Sequence, residues 1–374
     1  MSRNVLVTGG AGFIGSHLVD ALIARGDRVI VLDDLVPQVH GPAATRPRFL
    51  AQGARFVHGD ICDQARLGQA LSDVDTVVHL AAEVGVGQSM YEIVRYVRAN
   101  TLGTAVLLQA LLPRKQQIKK LVVASSMSVY GEGAYTCEAC GVVYPRLRSA
   151  EQLQAHDWEM HCDHCGRTVK PIPTNEDKPL FPTSVYAITK RDHEEMCLTF
   201  GQAYGIPSIA LRFFNVYGPR QALSNPYTGV AAIFSSRLLN GKPPLVFEDG
   251  NQARDFVHVS DIVQALLLAI DTRRVVNDVL NVGTGCALTV LDVAAALARG
   301  IGVDLQPELV GKFRSGDIRH CFADISRIRS VLGYQPRVQF EQGVHELVEW
   351  IRQEPAVDQV DHAYRELAER GLAQ

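Results

Sequence analysis

The chain has 374 residues, of which 47% are hydrophobic and 21% charged, with a formal net charge of −3. That length supports one large α/β domain or two coupled domains with a real core. The charge balance, with no basic stripe, argues against nucleic acid as a partner, and no apolar run reaches the ~18 residues of a membrane span. No export signal is legible in "MSRNVLVTGG", so the expectation is a cytoplasmic protein whose eight cysteines are not paired in disulfides.

In chain order, "NVLVTGGAGFIGSHLVDALIARGDRVIVLDDL" predicts strand, Gly-rich turn, helix and strand. Val5, Leu6 and Val7 form a short apolar run, and Phe13, Ile14, Leu18, Leu22 and Ile23 have helical spacing. Val29 to Leu32 is a second continuous apolar run, as a parallel strand buried on both faces requires. The alternation continues through a strand "ARFVHGD", a short helix over about 64–71, a strand "TVVHLAA", a long helix over about 91–112, and a strand "KLVVASS". Such a βαβ series predicts a Rossmann-like, doubly wound parallel sheet.

The pattern breaks between residues 131 and 182, then resumes with a helix over about 184–204 and the strand "SIALRFFNVYGP". A helix near 229–239, "ARDFVHVSDIVQALLLAI", a strand "VLNVGTG", a helix near 290–300 and "GVHELVEWIRQ" complete the chain. The division expected is a discontinuous dinucleotide-binding domain, 1–132 and 173–212, with an insertion at 133–172. Residues 213–353 would be mainly a smaller α/β substrate domain, with a segment near 255–275 returning to the first domain. Residues 354–374 read as a tail, at most a surface helix.

Gly9, Gly12 and Gly15 lie between a strand and a helix, where they let the backbone turn tightly and approach a pyrophosphate at the helix N-terminus. Asp33, 18 residues beyond Gly15, stands where a carboxylate bonds the ribose hydroxyls and repels a 2′-phosphate, which favours NAD over NADP. Asp60, in "HGDI", can read an adenine amino group or cap the following helix. "YAITK" puts Tyr186 and Lys190 four residues apart on one helix face. A neighbouring ammonium there would lower the phenol pKa towards that of a general base.

Cys137 and Cys140, then Cys162 and Cys165, form two Cys-x-x-Cys-Gly pairs with 21 residues between them, the spacing of a closed, structural Cys₄ zinc site. Gly141 and Gly166 would allow the tight turns, and His156, His161 and His164 stand by as substitute ligands. The remaining Cys62, Cys197, Cys286 and Cys321 read as small buried hydrophobes. An unbraced loop of this length is improbable in a compact domain, so the insertion needs an organiser.

"TGGAGFIG", "GDI", "HLAA", "NTLGT", "SSMSVYG", "YAITK", "RFFNVYGPRQ", "GNQARDFVHVSD" and "RSGDIRHCFAD" occur in that order. In these motifs the chain resembles the extended short-chain dehydrogenase/reductases of the nucleotide-sugar epimerase/dehydratase family, over nearly all its length except the Cys-rich segment. The resemblance implies tightly bound NAD lined by Gly9, Gly12, Phe13, Ile14, Gly15, Asp33, Asp60, Ile61, Leu80, Ala81, Ala82, Asn100, Tyr186, Lys190 and Phe213. It implies Ser126 on the reacting hydroxyl, Tyr186 as acid/base, and Lys190 on the nicotinamide ribose. It implies a nucleotide-diphosphate sugar held by Ser126, Ser128, Asn215, Arg254, Arg314 and Asp317, and a homodimer built on the helices near 91–112 and 184–204.

Family dehydratases need acid/base carboxylates just after the active-site Ser or Thr, and the decarboxylases usually carry a Glu there. Here Met127 and Ser128 occupy those positions, so the pattern is similar to the 4-epimerases. The reaction implied is oxidation at C4 by bound NAD, turning of the 4-keto sugar, and hydride return to its other face. The Cys-rich insert resembles that of a bacterial subgroup acting on 6-deoxysugars, which inverts dTDP-L-rhamnose to dTDP-6-deoxy-L-talose. The rivals are a UDP-hexose 4-epimerase, a nucleotide-sugar 4-reductase, or an NAD-binding regulatory protein with a zinc docking module.

Overall fold

The predicted Gly-rich turn joins β1 (Asn4–Thr8) to α1 (Phe13–Ala24), and β2 (Arg28–Asp33) follows. The structure, a computed structural model, describes residues 2–227, 229–273, 277–314, 316–354 and 358–373. Positions 274 and 275 of the segment expected to return to the first domain therefore lie outside the described residues, as do 355–357 and 374 of the tail. After β2 come β3 (Arg55–His58), β4 (Thr76–His79) and β5 (Lys120–Ser126), then the strands Ser208–Phe213 and Asp278–Val282.

These seven strands form one parallel sheet in the order Asp278–Val282, Ser208–Phe213, β5, β4, β1, β2, β3. Strand order reverses at β1, which lies between β2 and β4, so the crevice beyond their carboxyl ends is where such sheets bind ligands. Both faces are covered, which is why the strands are almost wholly apolar. Val7, Val31 and Val78 pack with Leu18 and Leu22 of α1 and with Ile262, Leu266 and Ile270 of the helix Val259–Asp271. Leu6, Ile30 and Val77 pack on the other face with Leu67, Leu107 and Phe200. Fully burying an apolar side chain of this size contributes about 1.5–3 kcal/mol.

The helix Val259–Asp271 thus lies on the dinucleotide half, and Asp278–Val282, just beyond it in sequence, extends the main sheet. The substrate half has its own core, where Phe234, Leu297 and Leu347 join the helices Val230–Leu239, Val290–Ile301 and Phe340–Ile351. Two predicted elements differ in form. The long helix over 91–112 is broken into α-turns at Ile93–Tyr96 and Gly103–Leu111 around a π-helical stretch, Val97–Leu102. Inside that stretch Asn100 is fully buried; its Oδ1 accepts from Glu83 N (2.8 Å), and its Nδ2 donates to Glu83 O (3.1 Å) and Thr189 Oγ1 (2.9 Å). The wider turn and these three bonds occur together, as is common for π-turns beside functional sites.

The tail is the second difference. Its helix Val360–Glu369 does not lie free on the surface but contributes Val360, Ala363, Tyr364 and Leu367 to the wall of the central cavity. Asp361 accepts from Arg237 (2.7 Å) and Lys242 (2.9 Å) on the substrate half. Glu366 accepts from Tyr227 (2.7 Å) and Tyr91 (3.3 Å), so the helix bridges both halves. The insertion is a small antiparallel sheet, Gly141–Val143, Ala134–Cys137 and Lys170–Ile172, with one short helix, Ala150–Gln154. Tyr135, Val143, Met160 and Val169 make a core of its own around Cys137 and Cys162.

Candidate active site

A cavity of about 870 Å³ runs across the carboxyl end of the sheet into the substrate half, towards the upper end of the roughly 300–1,000 Å³ usual for small-molecule sites. Gly9, Gly12, Phe13, Ile14 and Gly15 line it, with Asp33 at the end of β2 and Asp60 and Ile61 after β3. Leu80, Ala81 and Ala82 after β4, and Phe213, complete the cofactor side. The turn cannot carry side chains at two points. Gly9 has φ +68°, and a Cβ there would lie 2.7 Å from Ala81 N; a Cβ on Gly15 would lie 2.2 Å from Gly9 O. Gly12 is more open, its nearest such contact being Gly9 O at 3.4 Å, which leaves room for a close ligand.

Asp33 accepts from Ala11 N (2.9 Å) and Leu35 N (2.9 Å), so it braces the turn while facing the cavity. Asp34 beside it also lines the cavity, and burial with the neighbouring Asp33 raises its pKa to about 6. Sequence reasoning passed over Asp34, although its doubled acid was legible. Asp60 accepts from Cys62 N (2.8 Å) and Arg98 Nη2 (2.6 Å). It does not cap the following helix; Asp63 does, accepting from Ala65 N and Arg66 N. Asn100 is not among the cavity-lining residues: it lies behind Glu83 and braces the loop after β4 against the Tyr186 helix. These donors, acidic groups and close backbone fit a dinucleotide with free ribose hydroxyls.

Ser126 ends β5, and Tyr186 and Lys190 lie in the first turns of the helix Val185–Tyr204, which Ser184 caps by accepting from Ala187 N (3.1 Å). All three residues line the cavity. The Ser126 hydroxyl accepts from Ser128 Oγ (3.0 Å) and Ser128 N (3.2 Å). The expected depression of the phenol pKa by Lys190 is not found. Burial pushes Tyr186 up to about 12, opposed by the nearby Ser126 hydroxyl. Lys190 Nζ donates instead to Ala124 O (3.0 Å), and burial lowers its own pKa to about 7. Sharing a helix face was therefore insufficient for direct coupling.

Met127 and Ser128 follow Ser126 into the cavity wall, and neither is a carboxylate. Glu83 also lines the cavity, but Arg95 holds it through two bonds (2.9 and 2.8 Å). On the substrate side Asn215, Arg254, Arg314 and Asp317 line the same cavity. Asn215 Oδ1 is buried without a protein partner. Arg254 donates to Ala253 O (2.9 Å), Arg319 O (2.8 Å) and Ile318 O (2.6 Å), which fixes its guanidinium at the wall. Arg314 lies 4.6 Å over the Phe247 ring and donates to Asp317 Oδ2 (2.7 Å). Phe247, Tyr227 and Tyr364 line this side too, and no local spacing announced them.

Cys137, Cys140, Cys162 and Cys165 converge, their sulfurs all within 4.8 Å of one another and none in a disulfide. A tetrahedral zinc with bonds of about 2.3 Å needs sulfurs roughly 3.8 Å apart, and Cys137 Sγ to Cys165 Sγ is 3.5 Å. The Ala139 backbone N–H lowers the Cys137 pKa to about 7, and Gly141 and Gly166 turn with φ of 76° and 70°. The donor set fits a metal. None of His156, His161 and His164 joins the cluster: His161 bonds Asp157 (2.7 Å), and the His156 ring packs tilted at 31° against Trp158, centroids 5.0 Å apart. Of the other cysteines, Cys197 and Cys321 are buried as expected, whereas Cys286 is exposed and Cys62 is half-buried against the core cluster that holds Ile61.

Residues 5–149 and 164–283 match the NAD dependent epimerase/dehydratase family. The chain is 38% identical to the dTDP-L-rhamnose 4-epimerase of Burkholderia thailandensis over 354 residues, 94% of this chain and 96% of that protein. Among solved structures, it is similar to a UDP-glucose 4-epimerase from Thermotoga maritima with UDP-glucose: TM-score 0.75, 34% identity, 94% of this chain and 99% of that one. A UDP-glucuronic acid 4-epimerase from Bacillus cereus, in complex with UDP-glucuronic acid and NAD, gives TM-score 0.75 at 28% identity, with the same coverage.

Proposed function

The chain belongs to the NAD-dependent epimerase/dehydratase family and is an isomerase of the nucleotide-sugar 4-epimerase type, and from that premise we propose that it inverts C4 of dTDP-L-rhamnose to give dTDP-6-deoxy-L-talose. The observation that carries the reading is the set Ser126, Tyr186 and Lys190 on one cavity wall, with Met127 and Ser128 where a dehydratase needs acids. The 38% identity to a dTDP-L-rhamnose 4-epimerase supports the sugar. Val84, Val86, Met127 and Leu367 in the lining also suit a methyl at C5.

The glycine turn, Asp33 and Asp60 would hold NAD, which would supply the hydride acceptor. Tyr186 takes the proton of the C4 hydroxyl and gives it back after the sugar has turned, with Ser126 orienting that hydroxyl. Lys190, fixed by Ala124 O, holds the nicotinamide ribose. Asn215, Arg254 and Arg314 grip the diphosphate, a task suited to guanidinium forks, and Asp317 holds the nucleotide ribose. The C-terminal helix excludes water from the cavity. The four cysteines would hold a zinc ion in a structural role, since four thiolates complete its usual ligand set.

A homodimer accounts for the exposed apolar side chains Ile93, Val94 and Val97 on the first helix and Ile188 on the second, with Val94 81% accessible. The test is incubation of the purified protein, with no added NAD, with dTDP-L-rhamnose, UDP-galactose and GDP-sugars, followed by NMR. C4-inverted product from dTDP-L-rhamnose is expected. Inversion of UDP-galactose alone would replace the substrate, and a requirement for added NAD(P)H would replace epimerisation by reduction.

A further inference from the structure

The cysteine-bearing insertion is bolted to the stretch that carries the substrate-side arginines. Its two stems grip the strand His320–Cys321: Gly133 N donates to His320 O (2.9 Å), and Thr174 N donates to Phe322 O (2.8 Å). At the first stem, the Glu132 carboxylate accepts from Arg319 N (2.8 Å), His320 N (2.7 Å) and the Tyr135 hydroxyl (2.6 Å). Tyr135 belongs to the small core built around Cys137 and Cys162, so the cysteine cluster and the strand share a wall.

The body of the insertion adds charged contacts. Arg148 makes a two-pronged bond to Glu248 (2.8 and 2.8 Å), with both side chains almost fully buried, and reaches Asp317 O at 3.4 Å. Glu159, three residues before Cys162, accepts from Arg319 Nη2 (2.6 Å) and Nε (3.2 Å) and approaches His320 Nε2 (3.3 Å). Arg319, itself wholly buried, also donates to Asp249 (2.6 and 2.9 Å) and Glu248 (3.1 Å). Glu248 holds φ at +54°, a conformation that a non-glycine residue keeps only when its surroundings impose it. The carbonyls of Ile318 and Arg319 are two of the three that fix Arg254.

We propose that the insertion is a positioning element for the diphosphate clamp, in which Arg148 and Glu159 act through Glu248, Asp249 and Arg319 on the carbonyls that aim Arg254. This rests on the reading of Arg254 as a diphosphate ligand. The strand Ala253–Arg254 has only two-residue pairings, with His320–Cys321 on one side and Leu288–Thr289 on the other. So short a ladder leaves its placement to side-chain contacts as well, and the insertion supplies several of them. The cysteine cluster keeps Arg148 and Glu159 in register, so the insertion governs nucleotide-sugar affinity and leaves the dinucleotide half untouched.

Glu159 is the point to perturb, because its side chain is 44% accessible and Arg319 keeps two other carboxylates without it. In the purified holoenzyme, Glu159→Ala is expected to weaken dTDP binding about tenfold by calorimetry, comparable to one lost charge-assisted hydrogen bond. KM should rise alike, with kcat within about twofold and NAD content per chain unchanged. Glu159→Gln, which keeps an acceptor and the side-chain shape, should lose only about threefold and covers the case in which the alanine variant does not fold. Unchanged dTDP affinity in both variants overturns the proposal, as does a loss carried by kcat or by NAD content. Arg254→Ala separates the layers. If it too leaves dTDP affinity unchanged, the reading of the clamp fails; if it alone weakens binding, only the positioning role fails.

Discussion

Replacing Tyr186 by Phe removes one oxygen and little else. The ring lies edge-on to Tyr96, centroids 6.5 Å apart at 84°, and a phenyl ring keeps that contact. The Ser126 hydroxyl keeps Ser128 Oγ at 3.0 Å and Ser128 N at 3.2 Å, so it is not left without a partner. The fold should therefore lose no more than about 1 kcal/mol, and NAD should stay bound. The chemical step loses its proton carrier, which is worth about 10²–10⁴ in rate, or roughly 3–5 kcal/mol of barrier. The assay is C4 inversion followed by NMR, with thermal unfolding and NAD content measured on the same sample. Turnover within threefold of wild type, with NAD present and the fold intact, would refute the role given to this phenol.

Truncation after residue 353 removes the helix that bridges Tyr91, Tyr227 and the substrate half; the cavity opens, the 4-keto sugar escapes, and NADH absorbance at about 340 nm should build up during turnover, whereas the full chain shows none. Dialysed protein should hold one zinc per chain, and Cys162→Ser should lower that content together with the unfolding temperature, as metal affinity is linked to folding. Val94→Asp, at the most exposed apolar position of its helix, should convert the dimer to monomer by light scattering.

What the sequence carried was whatever local spacing encodes. Gly9 and Gly15 announce the turn because a Cβ has no room beside Ala81 N or Gly9 O, and Gly12 completes the spacing. The apolar runs of β1 to β5 announce a sheet covered on both faces, and the paired cysteines announce a common centre. Contacts between distant parts of the chain leave no such trace. Glu159 and Arg319 are 160 residues apart, and Tyr91 and Glu366 are 275 apart, so neither the anchoring of the insertion nor the docking of the C-terminal helix had a spacing to read. The i,i+4 placement of Tyr186 and Lys190 was legible, but the partner chosen by Lys190 was a carbonyl of a different strand. The π-turn at Asn100 likewise coincides with tertiary hydrogen bonds in a helix of ordinary composition.

The account turns on removal and return of one hydrogen at C4. dTDP-L-rhamnose deuterated at C4, incubated with the pure enzyme in ordinary water, tests this directly by NMR. The prediction is inverted product that keeps its deuterium at C4, with no NAD added. Loss of that deuterium to solvent, or product unchanged at C4, would contradict it.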